Sequence, residues 1–369
     1  MAADLRPSDR LWFKRCRRSW AFGSRLRRSL EPAGRRYRLD LDRAVRDGLA
    51  VYYFPGMWEW DRTVVRPLAF AAFEKTLHRQ REGHELTVAE DDQWNGALAG
   101  GRRILEQYLA WAPAVDRFWP VRVETDFDVQ IPDPDSPGAD LVAPAGEPVR
   151  YGGRVDLLIV DEHDAYWIMR HRLVDRFTDE DLLALDDELV AACWAWELFY
   201  LGMRISGTIH NEIRPAGDPP DPGDPVRLPR AARTFAQARA QHRRMYAQAE
   251  DVPSETVTEE GGGMFRRTRI PRHRAALEDL GRRLAAEARD MLDASLPLYP
   301  APAPESCAAC HFRAPCLTLN EGGDAEAVLA GAYQPRPPEA PPEGRLGAVT
   351  WSMNRGAAPP PDWVRRNRD

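Results

Sequence analysis

The chain is predicted to fold as a mixed α/β protein, a single sheet flanked by helices, and three observations carry that prediction. Hydrophobic residues make up 43% of its 369 residues, enough to bury one large core with insertions. Between residues 121 and 174 the sequence reads as three strands, the first a strict period-two alternation. On both sides of that stretch the apolar spacing is helical.

In chain order, residues 9–29 read as one amphipathic helix, with Leu11, Trp12, Trp20 and Phe22 set among arginines. Residues 66–82 and 99–112 read as two more helices, the second with Ile104, Leu105, Tyr108 and Leu109 at helical spacing. From 121 to 131, Val121, Val123, Thr125, Phe127, Val129 and Ile131 share one face of a strand, and Arg122, Glu124, Asp126 and Asp128 share the other. A Pro/Gly/Asp-rich loop covers 132–148. Two apolar strands follow, 153–160 and 165–174, joined by the hairpin turn DEHD. Residues 180–201 are helical, 203–213 a strand, and PAGDPPDPGDP a loop. Helices are expected over 229–250 and 271–293, the latter with Leu277, Leu280, Leu284, Ala288 and Met291 on one stripe. Residues 1–328 are read as one domain, and the Pro/Gly-rich residues 329–369 as a disordered tail. This order, helices, a strand meander, then helix, strand and helices, suits a mixed sheet covered by helices.

No apolar run reaches the roughly 18–20 residues of a membrane span, and the arginine-rich start lacks the apolar stretch of a secretory signal. A cytoplasmic protein without membrane association is expected. Charge is uneven: residues 1–50 carry 14 Lys and Arg against 6 Asp and Glu, a local excess of +8 on a chain whose net charge is −6. A basic segment on an acidic body suits a local phosphate-binding surface, and equally a solvated helix face. Lys14 and Lys75 are the only lysines, which limits the choice of any catalytic lysine.

Five cysteines in a chain of this length do not make a disulfide scaffold. Cys307, Cys310 and Cys316 lie within ten residues (CAACHFRAPC), so three thiolates lack a fourth partner. His311 adjoins Cys310, where two neighbouring ligands on one ion would be strained. Cys16 is the better fourth ligand if the two ends of the chain meet. Cys193, in VAACWAWELF, reads as a small core residue. Spacing alone leaves zinc and an iron–sulfur cluster level.

One cysteine in a basic aromatic helix (FKRCRRSW) followed by a C-terminal trio (PAPESCAACHFRAPC) resembles the iron–sulfur subset of the RecB-type PD-(D/E)XK nucleases, which includes AddB-like and CRISPR-associated exonuclease-like proteins. The likeness covers residues 9–318. It implies a restriction-endonuclease-like α/β core, closed by a [4Fe–4S] cluster on Cys16, Cys307, Cys310 and Cys316. It implies Asp156, in GRVD, as a Mg²⁺ or Mn²⁺ ligand, with Glu124 on the preceding strand and Glu74 and His78, four apart on one helix face, as further ligands. It also implies DNA as a partner, inside a larger DNA-processing assembly.

The chemistry departs from that family at one place. The strand after Asp156 should end in (D/E)-x-K, the acid holding metal and the lysine orienting the attacking water. Here it reads WIMRHRLV, with Arg170 and Arg172 at the two positions. Guanidinium groups repel a divalent cation and do not act as bases at neutral pH. The following helix lacks the Gln of the family's Q-x-x-x-Y motif, with only Trp194 as a loose aromatic match. Three expectations follow: a pseudonuclease that grips phosphate through Arg170 and Arg172; an active deoxyribonuclease with relocated ligands; or an iron–sulfur scaffold whose arginines pair with local acids. Trp58 and Trp60, in PGMWEWD, are expected in the core, with Trp58, Tyr52 and Tyr53 as an alternative stacking platform for single-stranded bases.

Overall fold

The computed structural model describes residues 3–34, 37–215, 256–261 and 263–337. The expected helix at 229–250, most of the loop before it and the tail from 338 lie outside the described residues. The described elements are β1 (Ala3–Leu5), α1 (Pro7–Arg15), α2 (Arg17–Gly23), β2 (Leu30–Pro32), α3 (Leu41–Tyr52), α4 (Arg62–Arg81), α5 (Val88–Val115), β3 (Phe118–Gln130), β4 (Val149–Asp161), β5 (Tyr166–Leu173), α6 (Glu180–Ala184), α7 (Asp187–Phe199), β6 (Ile205–Ile213), β7 (Val257–Gly261), β8 (Phe265–Pro271), α8 (Arg274–Leu292), α9 (Pro304–Ala308), α10 (Arg313–Asn320), α11 (Ala325–Ala332) and β9 (Tyr333–Pro335).

The sheet is mixed, as the sequence predicts. β3 pairs antiparallel with β4, β4 with β5, and β5 runs parallel to β6 after the α6–α7 crossover. β8 and β7 extend the sheet antiparallel beyond β6, and short β1 lies parallel to β4. The alternation of β3 is seen in its burial: Val123, Thr125, Phe127 and Val129 face the interior. The DEHD turn forms as expected, because the buried carboxylate of Asp161 gathers the main-chain N–H groups of His163 and Ala165 and the Trp167 indole.

One face of the sheet is covered by α7 and α8, whose Leu277, Leu280, Leu284, Ala288 and Met291 are all buried, in one core with Phe127, Tyr151, Val155 and Ile168. α3 packs against β4 and β5 and against α4 and α5. Cys193 is fully buried in α7, and burial pushes its thiol up to about 12, an inert core sulfur as the sequence predicts.

Several elements differ from expectation. The segment 9–29 is two helices, because Cys16 is extended (φ −166°, ψ 108°) between them; its N–H donates to Trp12 O and its carbonyl accepts from Trp20 N. The segment 180–201 is also two helices, since Asp186 caps α7 by accepting from the Glu188 and Leu189 N–H groups. α3, the β7–β8 hairpin, the short strands β1, β2 and β9 and the helices α9, α10 and α11 are additional, and α5 starts at Val88 rather than at 99. The expected domain break at 328 falls inside α11, and the first compact unit runs to Pro335, where β9 pairs with β2.

Candidate functional site

The first place of interest joins the two ends of the first unit. Phe312, one residue past His311, is buried among Phe22, Leu329, Trp12 and Tyr333. Its ring lies 5.5 Å from that of Phe22 and 5.1 Å from Tyr333. Polar contacts tie the same segments: Arg15 donates to Ser306, Arg18 to the Cys316 sulfur at 3.6 Å and to Asn320, and Ser19 Oγ lies 3.5 Å from the Cys310 sulfur. The helix break at Cys16 and the Cys307–Cys316 segment therefore meet, as the sequence requires for Cys16 to serve as fourth thiol. The four cysteines are free thiols rather than disulfides. Four thiols on two abutting segments suit an iron–sulfur cluster or zinc by donor type. Among the described residues, no three His, Cys, Asp or Glu side chains are drawn together closely enough to hold a metal ion. A cavity of about 620 Å³ opens beside Cys310 and His311, walled by Pro32, Ala309 and Tyr333.

The second place is centred on Asp156 in the middle of β4. The β3–β4 register puts Glu124 opposite it, between the pairs Val123–Leu157 and Thr125–Val155. Glu124 has φ of 42°, a left-handed backbone in mid-strand that costs on the order of 1 kcal/mol or more. Its carboxylate lies 3.4 Å from Arg154, which is also paired with Asp126 at 2.6 Å. Asp156 accepts the His171 N–H at 3.1 Å and lies 3.6 Å from the Arg46 guanidinium. Burial raises its pKa above the ordinary carboxylate range, against the pull of Arg46 and Arg170.

The two (D/E)-x-K positions are treated differently. Arg170 is half-buried and paired with Glu188 at 3.1 Å, in the first turn of α7, and with Asp186 at 3.6 Å, its N-cap. Burial works against the charge of Asp186, but the Arg170 guanidinium holds its carboxyl below the usual range. Arg172, two residues on, is exposed. His171 between them points the other way, stacked on Tyr53 with ring centroids 5.6 Å apart, its Nδ1 at 2.8 Å from the Asn211 amide. Behind it lies a buried polar network: Arg267 donates to Asp116 at 2.8 Å and to the hydroxyls of Tyr53 and Tyr108.

The helix that reaches Asp156 is α3, through Arg46 and through Asp42, which pairs with Arg46 and accepts the Leu173 N–H. Glu74 and His78, the expected helical ligands, sit on α4 and face α5: Glu74 pairs with Arg102 at 2.6 Å and His78 lies over Trp94. Among the described contacts neither meets Asp156 or Glu124. Tyr52 and Tyr53 are buried core rings, and half-buried Trp58 is stacked on Tyr53 and Phe118 with Arg62 over its ring, whereas Trp60, also expected in the core, is 51% exposed. Sequence reasoning missed Asp42, Arg46, Asp186 and Glu188. The available signals were the Asp40 cap with Val45, Leu49 and Tyr52 at helical spacing for α3, and the acidic run before α7.

No protein-family model matches the chain, and no curated protein matches it. Among solved structures, one described as the crystal structure of SSO0001 is similar over 76% of this chain and 86% of that chain, with 12% identity and a TM-score of 0.26, a likeness too slight to carry an argument.

Proposed function

We propose that the chain is a catalytically impaired relative of the RecB-type PD-(D/E)XK nucleases that binds nucleic acid without hydrolysing it, on a restriction-endonuclease-like core stapled by a [4Fe–4S] cluster. The observation that carries the reading is the pair of guanidinium groups flanking Asp156. Arg46 stands 3.6 Å from its carboxylate on the α3 side, and Arg170 bears on it electrostatically from β5, where the family has a second metal-binding acid. Two cations there hold the place of a divalent metal. Three antiparallel strands, a crossover helix and a parallel strand support the fold assignment, since Asp156 falls on the second strand and Arg170 and Arg172 on the third. Cys16, Cys307, Cys310 and Cys316 would hold the cluster, which supplies a covalent tie between the helix break and the C-terminal loop. The abutting segments and the absence of disulfides support that donor set.

Arg172, exposed at the end of β5, is the phosphate contact in this reading; Arg170 is not, because α7 has taken it up. The experiment is fluorescence anisotropy with single- and double-stranded DNA without divalent metal. Binding that weakens with salt and on Arg172→Ala, but persists in Asp156→Ala, supports the proposal. Anaerobically purified protein is expected to be brown with about four irons per chain; stoichiometric zinc without iron would refute the cluster. A second reading, an iron–sulfur scaffold without nucleic-acid binding, is favoured by the pairing of Arg170 with Asp186 and Glu188. Absence of DNA binding in the same titration selects it.

A further inference from the structure

α4 is apolar on both faces over its first half. Val65, Ala69 and Phe73 turn inward and are buried, as packing on α3 and α5 requires. On the opposite face Val64 and Leu68, four apart, are 50% and 42% exposed, and Trp60 just before the helix is 51% exposed. Further along that face Lys75 and Arg79 are exposed, and neither has an ion-pair partner among the described residues. In a molecule that pairs Arg10, Arg170 and Arg267 with carboxylates, this is an unneutralised basic end on an uncovered apolar stripe.

The same chain carries the complement. α6 is anchored by buried Leu183 but turns Leu182 and Leu185 outward, 60% and 76% exposed and three apart on one face. Asp179, Glu180 and Asp181, all exposed, precede them. α6 thus runs from acidic to apolar, and the free face of α4 from apolar to basic. Leu68 and Lys75 are about 10 Å apart along the helix axis.

We infer that the chain associates with itself by docking α6 of one copy on the exposed face of α4 of another. An antiparallel crossing seats Leu182 and Leu185 on Val64 and Leu68 and points the α6 carboxylates toward Lys75, within reach of its long side chain. The two patches differ, so the contact is heterologous: each copy keeps one free α4 face and one free α6, and association continues into chains or a ring. Charge on both sides makes the contact salt-sensitive.

Sedimentation velocity on the full chain tests it. The wild type is expected to sediment faster as its concentration rises, and less so in high salt. Leu68→Asp and Leu185→Asp, both surface changes, should each remain monomeric, with unchanged circular dichroism as the folding check. An equimolar mixture of the two should form a one-to-one dimer, because one retains the α6 patch and the other the α4 face. Lys75→Glu should weaken wild-type association about tenfold. A wild type that stays monomeric at every concentration overturns the inference, as does one that associates while the mixture of variants stays monomeric.

Discussion

At β5, where the resemblance implies a metal-binding acid, the chain has Arg170. Its guanidinium is held by two carboxylates of α7 and lies near a third, Asp156. Removing it leaves three acids in a poorly solvated place, so Arg170→Ala should cost on the order of 3 kcal/mol in urea unfolding; an unchanged midpoint would contradict the pairing. The buried histidines give a pH dependence with a definite sign. Burial pushes both His171 and His210 down to about 3, so in the folded protein they stay neutral while the unfolded chain takes up protons below its ordinary value near 6.5. Groups depressed in this way contribute stability that is present above about 6.5 and lost as pH falls toward 3, at about 1.4 kcal/mol per pH unit for each. The raised pKa of Asp156 works in the opposite sense at the acid end of that window. Urea midpoints should fall between pH 7 and pH 5, and His171→Gln should roughly halve the slope; a flat profile would contradict the neutral burial. The sequence made Arg170 legible as a break in a motif, but not its partners, which are 16 and 18 residues on at a helix start. It gave no hint that Arg267 would be buried, because its carboxylate, Asp116, is 151 residues away.

At the scale of elements, strands were legible where burial is one-sided. β3 alternates because only one of its faces meets the α7–α8 core, and β4 and β5 are apolar because they are central. β7 and β8 were not legible. Their alternation is of Arg, Thr and Glu, and Arg267 occupies an inward position that a hydrophobic pattern leaves blank. The single helix expected over 9–29 failed at Cys16, whose extended backbone no local residue preference requires. β6 offers a direct check of the sheet register. Gly207 lies opposite Pro271, and a Cβ there would sit 2.3 Å from Ile270 O and 2.9 Å from Pro271 Cα, backbone atoms that cannot swing aside. Gly207→Ala should therefore cost about 2 to 3 kcal/mol by chemical denaturation. Phe312→Ala should remove about 3 kcal/mol from the packing of α2 on α11, and hydrogen exchange should rise in α1 and α2 before the sheet.

Across the whole molecule, α1 connects the cysteine region to the centre of the sheet. Its Arg10 and Lys14 hold Asp187 and Glu287, and Asp187 stands between the two acids that hold Arg170. The cysteine region and the Asp156 centre thus share one helix start, while α4 and α6 turn apolar side chains outward. In the proposed reading the sheet keeps the geometry of a nuclease centre with cations in place of its metal. The most direct test is incubation of anaerobically purified protein with end-labelled single- and double-stranded DNA in Mg²⁺ and in Mn²⁺, beside Asp156→Ala. Intact DNA is expected in every lane; cleavage by the wild type that Asp156→Ala abolishes would overturn the pseudonuclease reading.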